Sequence, residues 1–175
     1  MNDFHSLMLS RRSIRKYTSE EIAPEDVQLI VEAGLMAPSS KGKCPWQFIL
    51  TDDRDMLTSL SQCKDFGAKP LEGCKLAIII TASPEKSDVW IEDASIAAFA
   101  MQLQAEDLNI GSCWIQIRNR FRSDGVAAEE YVRDLLEIPE EQQILCCITL
   151  GHKGETRKPY DTDNIRWEKV HLKKW

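Results

Sequence analysis

The stretch Leu76-Ala-Ile-Ile-Ile-Thr-Ala82 decides how the rest of this sequence is interpreted. None of its residues is charged, and apolar or β-branched side chains fill both of the alternating positions of a strand. A strand that is apolar on both faces must be covered on both faces. The stretch therefore predicts the central strand of a sheet that is wrapped by helices.

Weaker patterns on either side of this strand supply the other elements. Apolar runs predict three further strands, at residues 46–51, 112–117 and 143–150. Apolar residues at helical spacing, with Pro24 in a first turn, predict helices at residues 1–11, 24–37, 53–62, 90–108 and 127–136. The pattern indicates an α+β fold in a single domain that spans residues 1–175.

From Gly151 onward the chain is polar, with Trp167 and Trp175 as aromatic anchors. An extension from so small a domain often packs on a neighbouring subunit. We therefore expect a homodimer in which this C-terminal extension contacts the partner.

Composition limits the classes of function. The 175 residues carry a formal net charge of −6, which argues against nucleic-acid binding. No apolar run is long enough to span a bilayer and no secretory signal is visible, so we expect a cytoplasmic protein without membrane partners. The six cysteines contain no C-x-x-C pair and the three histidines are scattered, so no metal site is predicted. Buried, reduced thiols are favoured over disulfides or ligands.

The positive charge is concentrated at the two ends of the chain. Residues 1–16 and residues 153–175 each have a net charge of +3, although the whole chain is acidic. Two interpretations are open. The two ends meet over one small anion, or each end is separately solvated.

The first basic segment is Arg11-Arg12-Ser13-Ile14-Arg15-Lys16. Guanidinium groups offer forked donors that match phosphate oxygens, and the hydroxyl adds one more donor. In an extended segment Arg11, Ser13 and Arg15 would share a face while Ile14 turns to the core. The alternative is a solvated basic face.

The sequence contains none of the common motifs for a catalytic nucleophile, a metalloprotease, a P-loop or a Rossmann nucleotide site. No catalytic side chain is therefore predicted. A protein with an anion site and no such set of residues can take its chemistry from a cofactor.

Several segments resemble, in order and spacing, the nitroreductase family of FMN-dependent oxidoreductases. The resemblance covers about residues 9–51, 75–117 and 143–159. Its motifs are Arg11-Arg12-Ser13-Ile14-Arg15, Ala37-Pro38-Ser39-Ser40, Pro45-Trp46-Gln47-Phe48, Glu92-Asp93-Ala94-Ser95, Leu108-Asn-Ile-Gly-Ser-Cys-Trp-Ile115, Ile148-Thr-Leu-Gly151 and Lys158-Pro159.

The resemblance implies an α+β homodimer with a central, mostly antiparallel sheet and one FMN at each subunit interface. Arg11, Arg12 and Ser13 resemble the ligands of the phosphate and ribityl chain, and Arg157 or Lys158 resembles a late cation that closes on the phosphate.

The flavin ring contacts are implied in the same way. Arg15 and Lys69 resemble cations at the pyrimidine edge, and the backbone at Ile115 and Gln116 resembles the strand end beside N5. Pro38, Ser39 and Ser40 resemble a loop that reaches the flavin from the partner subunit.

The activity implied is hydride transfer from NADH or NADPH, through flavin N5, to a nitroaromatic, a quinone or a similar small acceptor. A non-catalytic module that binds FMN or another phosphorylated ligand as a sensor is the alternative. Gly42 and Cys44 stand where the family usually has Asn and Gln, which affects substrate preference more than FMN binding.

Overall fold

The computed structural model describes residues 3–175, so the predicted start of the first helix at residues 1 and 2 lies outside the described residues. The strands are β1 (Trp46–Thr51), β2 (Leu76–Ala82), β3 (Ile110–Gln116) and β4 (Gln143–His152). The helices are α1 (Phe4–Ser10), α2 (Pro24–Leu35), α3 (Arg54–Leu60), α4 (Pro70–Gly73), α5 (Trp90–Asp107) and α6 (Ala128–Leu136).

The four strands form one antiparallel sheet in the order β1-β2-β4-β3. Every residue of β2 is buried, which confirms the prediction of a central strand covered on both faces. Successive residues of β2 enter opposite cores, because side chains alternate along a strand. Ala77 and Ile79 belong to one core, and Ile78 and Ile80 to the other.

Helices complete both cores. Helix α2 packs on α5, and buried residues of both, including Ile30, Ala94, Ala98 and Met101, belong to the core that holds Ile78. Residues of α3, α4 and α6 fill the core on the opposite face. The α+β fold and the antiparallel sheet are thereby confirmed.

The C-terminal segment follows β4 as an irregular chain with two single turns of 3₁₀ helix, Thr162–Asn164 and Trp167–Lys169. Every residue from Thr156 to Trp175 is exposed in the single chain. Trp167 and Trp175 are 70% and 100% exposed. Packing of this extension on a partner stays a prediction. Among residues 3–175, none of the helices has both the length and the apolar character needed to cross a membrane.

Candidate functional site

The two basic ends of the chain meet beside β3 and β4. The N–H of Ile14 donates to the carbonyl oxygen of Ser112 at 2.9 Å, and the N–H of Gly154 donates to the carbonyl oxygen of Lys16 at 2.9 Å. Further along, the N–H of Tyr160 donates to Leu9 at 2.9 Å. The two basic ends therefore lie side by side, as the first of the two interpretations requires, and the small anion between them stays a prediction.

Two glycines make room for this junction. Gly111 in β3 and Gly151 in β4 lie opposite each other in the sheet. A Cβ on Gly111 would lie 2.8 Å from Cγ2 of Ile14, and a Cβ on Gly151 would lie 2.8 Å from Cδ1 of Tyr17. The N-terminal segment therefore sits directly against the sheet backbone at these two positions.

Tyr17 joins the N-terminal segment to strand β4. Its hydroxyl donates to the carbonyl oxygen of Ile14 at 2.7 Å and lies 2.7 Å from Oγ1 of Thr149. Burial raises the pKa of the Tyr17 hydroxyl well above its ordinary value. Ile14 is 3% exposed, as predicted, while Arg15 lies between these two anchors and is exposed. The anchors thus fix the backbone that carries Arg15 toward solvent.

Arg15 and Lys69 line the same cavity, which has a volume of about 560 Å³. The structure therefore brings together the two cations that the sequence analysis placed at one edge of a ligand. Arg54 also lines the cavity, and its guanidinium donates to the carbonyl oxygens of Glu72 at 2.5 Å and Cys74 at 3.1 Å. Sequence reasoning missed Arg54, because only the packing of α3 against α4 brings it here.

Arg12 and Arg157 line a second cavity of about 270 Å³. The Arg12 guanidinium donates to the carbonyl oxygen of Lys158 and lies over the ring of Tyr160, 4.9 Å from its centroid. Lys158 contributes its backbone to this contact, whereas Arg157 contributes its guanidinium to the cavity. Of the two late cations, Arg157 lines this cavity and Lys158 does not, and which of them would bind a phosphate stays a prediction.

Glu155 joins the two basic ends. Its Oε1 accepts a hydrogen bond from the N–H of Arg15 at 2.7 Å, and its Oε2 lies 2.7 Å from Nη2 of Arg157. The pKa of Glu155 is lowered, first by the hydrogen bond from Arg15 and then by the charge of Arg157. Glu155 is one of four acidic residues in the second basic end, so the sequence alone does not single it out.

The expected shared face of Arg11, Ser13 and Arg15 is wrong. Helix α1 runs to Ser10, and the N–H of Arg11 still donates to the carbonyl oxygen of Leu7 at 3.0 Å. Arg11 closes a helix rather than opening an extended segment, so strand-like alternation does not reach it. Its side chain lines a third cavity of about 690 Å³ together with Tyr160. Ser13 forms an isolated parallel bridge with Ser112.

The loop that contains Pro38, Ser39 and Ser40 lies elsewhere in the chain. It follows α2 and is bonded to the first turn of α5, where Asp93 accepts a hydrogen bond from the N–H of Ser40 at 2.8 Å. Within the described residues, none of the three cavities is lined by residues 38–40. A single chain therefore does not bring this loop to Arg15.

Ile115 and Gln116 lie at the end of β3, an edge strand of the sheet. The Ile115 side chain is buried in the core, so only its backbone can face a ligand. The Gln116 amide accepts from Nε1 of Trp114 at 2.9 Å and donates to the carbonyl oxygen of Arg118 at 2.9 Å. The Gln116 carbonyl oxygen accepts from Nζ of Lys64 at 2.7 Å.

Within residues 3–175, no three histidine, cysteine, aspartate or glutamate side chains are grouped so that they could hold a metal ion. All six cysteines are free. Five of them are buried, as expected, but Cys44 is exposed in the loop after Ser40. Burial raises the pKa of Cys63 to about 11 and that of Cys74 to about 12, so these thiols stay protonated at neutral pH.

Comparison with known proteins decides the family. The model of the Nitroreductase family matches residues 8–68 and 57–152 of this chain, which includes all four strands and the first basic segment. The chain belongs to the nitroreductase family. The resemblance proposed from the motifs is confirmed.

The chain is similar to several known proteins over most or all of its length. A protein of Archaeoglobus fulgidus with the provisional name NADH dehydrogenase/NAD(P)H nitroreductase is 33% identical over 180 residues, covering 100% of both chains. The NADPH-flavin oxidoreductase of Vibrio harveyi is 28% identical over 170 residues, covering 89% of this chain and 68% of the relative. A solved FMN-dependent nitroreductase of Clostridium difficile has 44% sequence identity and a TM-score of 0.96, covering 98% of this chain and 100% of the other.

Proposed function

We propose that this nitroreductase-family chain is an FMN-dependent oxidoreductase that takes hydride from NADH or NADPH and passes it to a small acceptor such as a nitroaromatic or a quinone. The observation that carries the proposal is the shared cavity of Arg15 and Lys69 beside the junction of the two basic ends. Relatives named as flavin and NAD(P)H oxidoreductases support the same cofactor and the same reductants.

The donor set at the junction fits FMN. A phosphate is bound by guanidinium and hydroxyl donors. Arg12 and Arg157 line the second cavity, and Ser13, which follows Arg12 in the chain, adds a hydroxyl near the point where the chain ends meet. Arg11 completes the proposed ribityl and phosphate set from the neighbouring cavity. Arg157 suits the phosphate better than Lys158, because the Lys158 contact uses only its carbonyl oxygen.

When bound, FMN supplies an N5 atom that accepts and donates hydride, and its reduction places negative charge near the pyrimidine edge. Arg15 and Lys69 would stabilise that charge from the cavity that they share. Glu155 holds the backbone of Arg15, and Arg54 is bonded to the short helix that follows Lys69. The backbone at Ile115 and Gln116 would offer polar groups to the flavin without a titrating side chain. No side chain of the protein has to act as acid, base or nucleophile.

The second subunit completes the proposed site. Pro38, Ser39 and Ser40 lie away from Arg15 in one chain, so their contact with the flavin requires a second copy. The exposed C-terminal extension with Trp167 and Trp175 supplies apolar surface for that copy to cover. The proposal is therefore a homodimer. We place it in the cytoplasm, where NADH and NADPH are found and six free thiols stay reduced.

An absorbance spectrum of the purified protein, followed by anaerobic titration with NADH and with NADPH, tests the proposal. We expect flavin bands that are bleached by at least one nicotinamide and restored by an added quinone or nitroaromatic. A flavin that stays oxidised with both would support the sensor function instead. Protein that binds no FMN would overturn both.

A further inference from the structure

A buried carboxylate holds the loop that is assigned to the flavin. Asp93 lies in the first turn of α5 and is 3% exposed. Its Oδ1 accepts a hydrogen bond from the N–H of Ser40 at 2.8 Å, and its Oδ2 accepts one from the Ser87 hydroxyl at 2.8 Å. One carboxylate therefore joins helix α5, the turn that precedes it and the loop that follows α2.

The dipole of the helix does not account for this arrangement. Glu92 and Asp93 both stand in the first turn, where any carboxylate is favoured by the helix N-terminus. Glu92 gains this benefit while it stays exposed. Burial of Asp93 adds a desolvation cost that the dipole does not require, and its hydrogen bonds offset that cost.

The backbone conformation of this loop requires a stabilising contact with the rest of the domain. Lys41, Gly42 and Cys44 have φ values of 54°, 65° and 42°, in the left-handed region that non-glycine residues rarely adopt. Strained backbone of this kind persists only where the surroundings determine it. Within the loop, the N–H of Cys44 donates to the Ser39 hydroxyl at 2.9 Å. The bond from Ser40 to Asp93 ties this strained turn to the body of the domain.

We propose that Asp93 is a positioning residue, which holds the Ser39–Ser40 backbone in the conformation that contacts the flavin of the second subunit. The inference rests on the proposed function. Asp93 touches neither flavin nor substrate in this arrangement and acts through the Ser40 amide.

Three variants test whether Asp93 holds the loop through its hydrogen bonds, rather than through its negative charge or through stabilisation of helix α5. Asp93→Ala removes both acceptors. Asp93→Asn removes the same charge but keeps an oxygen for the Ser40 N–H and an amide donor for the Ser87 hydroxyl. Glu92→Ala removes a carboxylate from the same helical turn and leaves the loop contact intact.

Hydrogen–deuterium exchange of the loop amides and the dissociation constant of FMN are measured for each variant. We expect Asp93→Ala to speed exchange at residues 40–43 at least tenfold and to weaken FMN at least tenfold. Asp93→Asn is expected to stay within threefold of wild type in both measurements, and Glu92→Ala to match wild type.

Equal effects of Glu92→Ala and Asp93→Ala would overturn the proposal, as would unchanged loop exchange, or faster exchange with unchanged FMN affinity, in Asp93→Ala. If Asp93→Ala does not fold, Ser40→Pro removes the donor from the loop side, at the first position of a 3₁₀ turn that accepts proline. Exchange at residues 41–43 must then rise for the proposal to stand. Wild-type protein without FMN affinity would overturn the proposed function itself, whatever the loop exchange shows.

Discussion

The carboxylate of Glu155 accepts a hydrogen bond from the backbone N–H of Arg15 across 140 positions of sequence. The same carboxylate pairs with the Arg157 guanidinium. Two cations with different proposed partners, one at the flavin ring and one at its phosphate, are therefore oriented by a single acid. The geometry of the junction depends on the charge of that acid.

We predict that the stabilising effect of Glu155 depends on pH. Its pKa is lowered in the folded protein, so its contribution to stability is present above the pKa of an unfolded glutamate and is lost as pH falls through the lower folded value. Thermal unfolding at neutral pH should show a lower Tm for Glu155→Gln than for wild type. The difference should shrink as pH falls below the ordinary glutamate pKa of about 4.3 and vanish below the lowered pKa of the folded protein. Glu168→Gln, an exposed acid of the extension, is the control. A Tm difference that is constant from pH 7 to pH 3 would contradict this account.

A side chain at Gly151 should destabilise the fold. A Cβ there would lie 2.8 Å from Cδ1 and 2.9 Å from Cβ of Tyr17, so the segment that carries Arg15 must move. We expect Gly151→Ala to lower the free energy of unfolding by about 1–3 kcal/mol, measured by urea denaturation. Gly73→Ala is the matched control, because nothing lies within 4 Å of its added Cβ. Equal stability of the two variants would show that the close approach carries no cost.

Removal of either cation from the shared cavity should lower the midpoint potential of the bound flavin. Arg15→Gln and Lys69→Gln each withdraw positive charge from the edge that becomes negative on reduction. For a two-electron couple, a loss of about 1.4 kcal/mol corresponds to about 30 mV. Lys86→Gln changes an exposed cation that does not line this cavity and should leave the potential unaltered. An unchanged potential in both cavity variants would remove their assigned role.

Arg157 and Lys158 provide a comparison between neighbours. Arg157→Ala should weaken FMN binding by about 1.5–3 kcal/mol, the usual range for a charge-assisted hydrogen bond, which is roughly a 10- to 150-fold rise in Kd. Lys158→Ala keeps the carbonyl oxygen that Arg12 uses, so its Kd should stay close to that of wild type. Fluorescence titration of apoprotein with FMN measures both. A larger effect at Lys158 would reverse the assignment.

Deletion of residues 161–175 should weaken the proposed dimer, because it removes the exposed side chains of Trp167 and Trp175. Sedimentation velocity should show a shift toward monomer, and the shortened chain should lose FMN, because the proposed site takes residues 38–40 from the partner. The point variant Trp175→Ala should shift the equilibrium less. A shortened chain that stays dimeric and retains FMN would show that the extension is not part of the interface.

Much of the fold was predictable because apolar runs, helical spacing and turn residues lie within short stretches of the sequence. The bounds of β1 and β2 match the predicted strands, since apolar runs end where charged or turn residues begin. Helix α4 was missed, because its four residues are too few to show a period. β3 begins two residues earlier than predicted, and β4 ends two residues later.

The site was less predictable, because its contacts join distant parts of the chain. Its residue types were found through charge and family motifs. The alternation argument failed at Arg11, because a helix end and a strand start look alike in a short basic run. Asp93 and Glu92 are adjacent acids in the sequence, and the sequence does not show that Asp93 is the one that is buried and bonded to the Ser40 loop. Glu155 and Arg54 form hydrogen bonds with backbone atoms, and such contacts cannot be predicted from residue types.

The junction also orders events during biosynthesis. A ribosome releases Arg15 early and Glu155 only after all four strands have been made. Until then, the first basic segment lacks the carboxylate that orients it. The surface at Gly111 and Gly151, against which Ile14 and Tyr17 pack, has not formed either. The segment that carries Arg15 therefore reaches its final position only against a completed sheet.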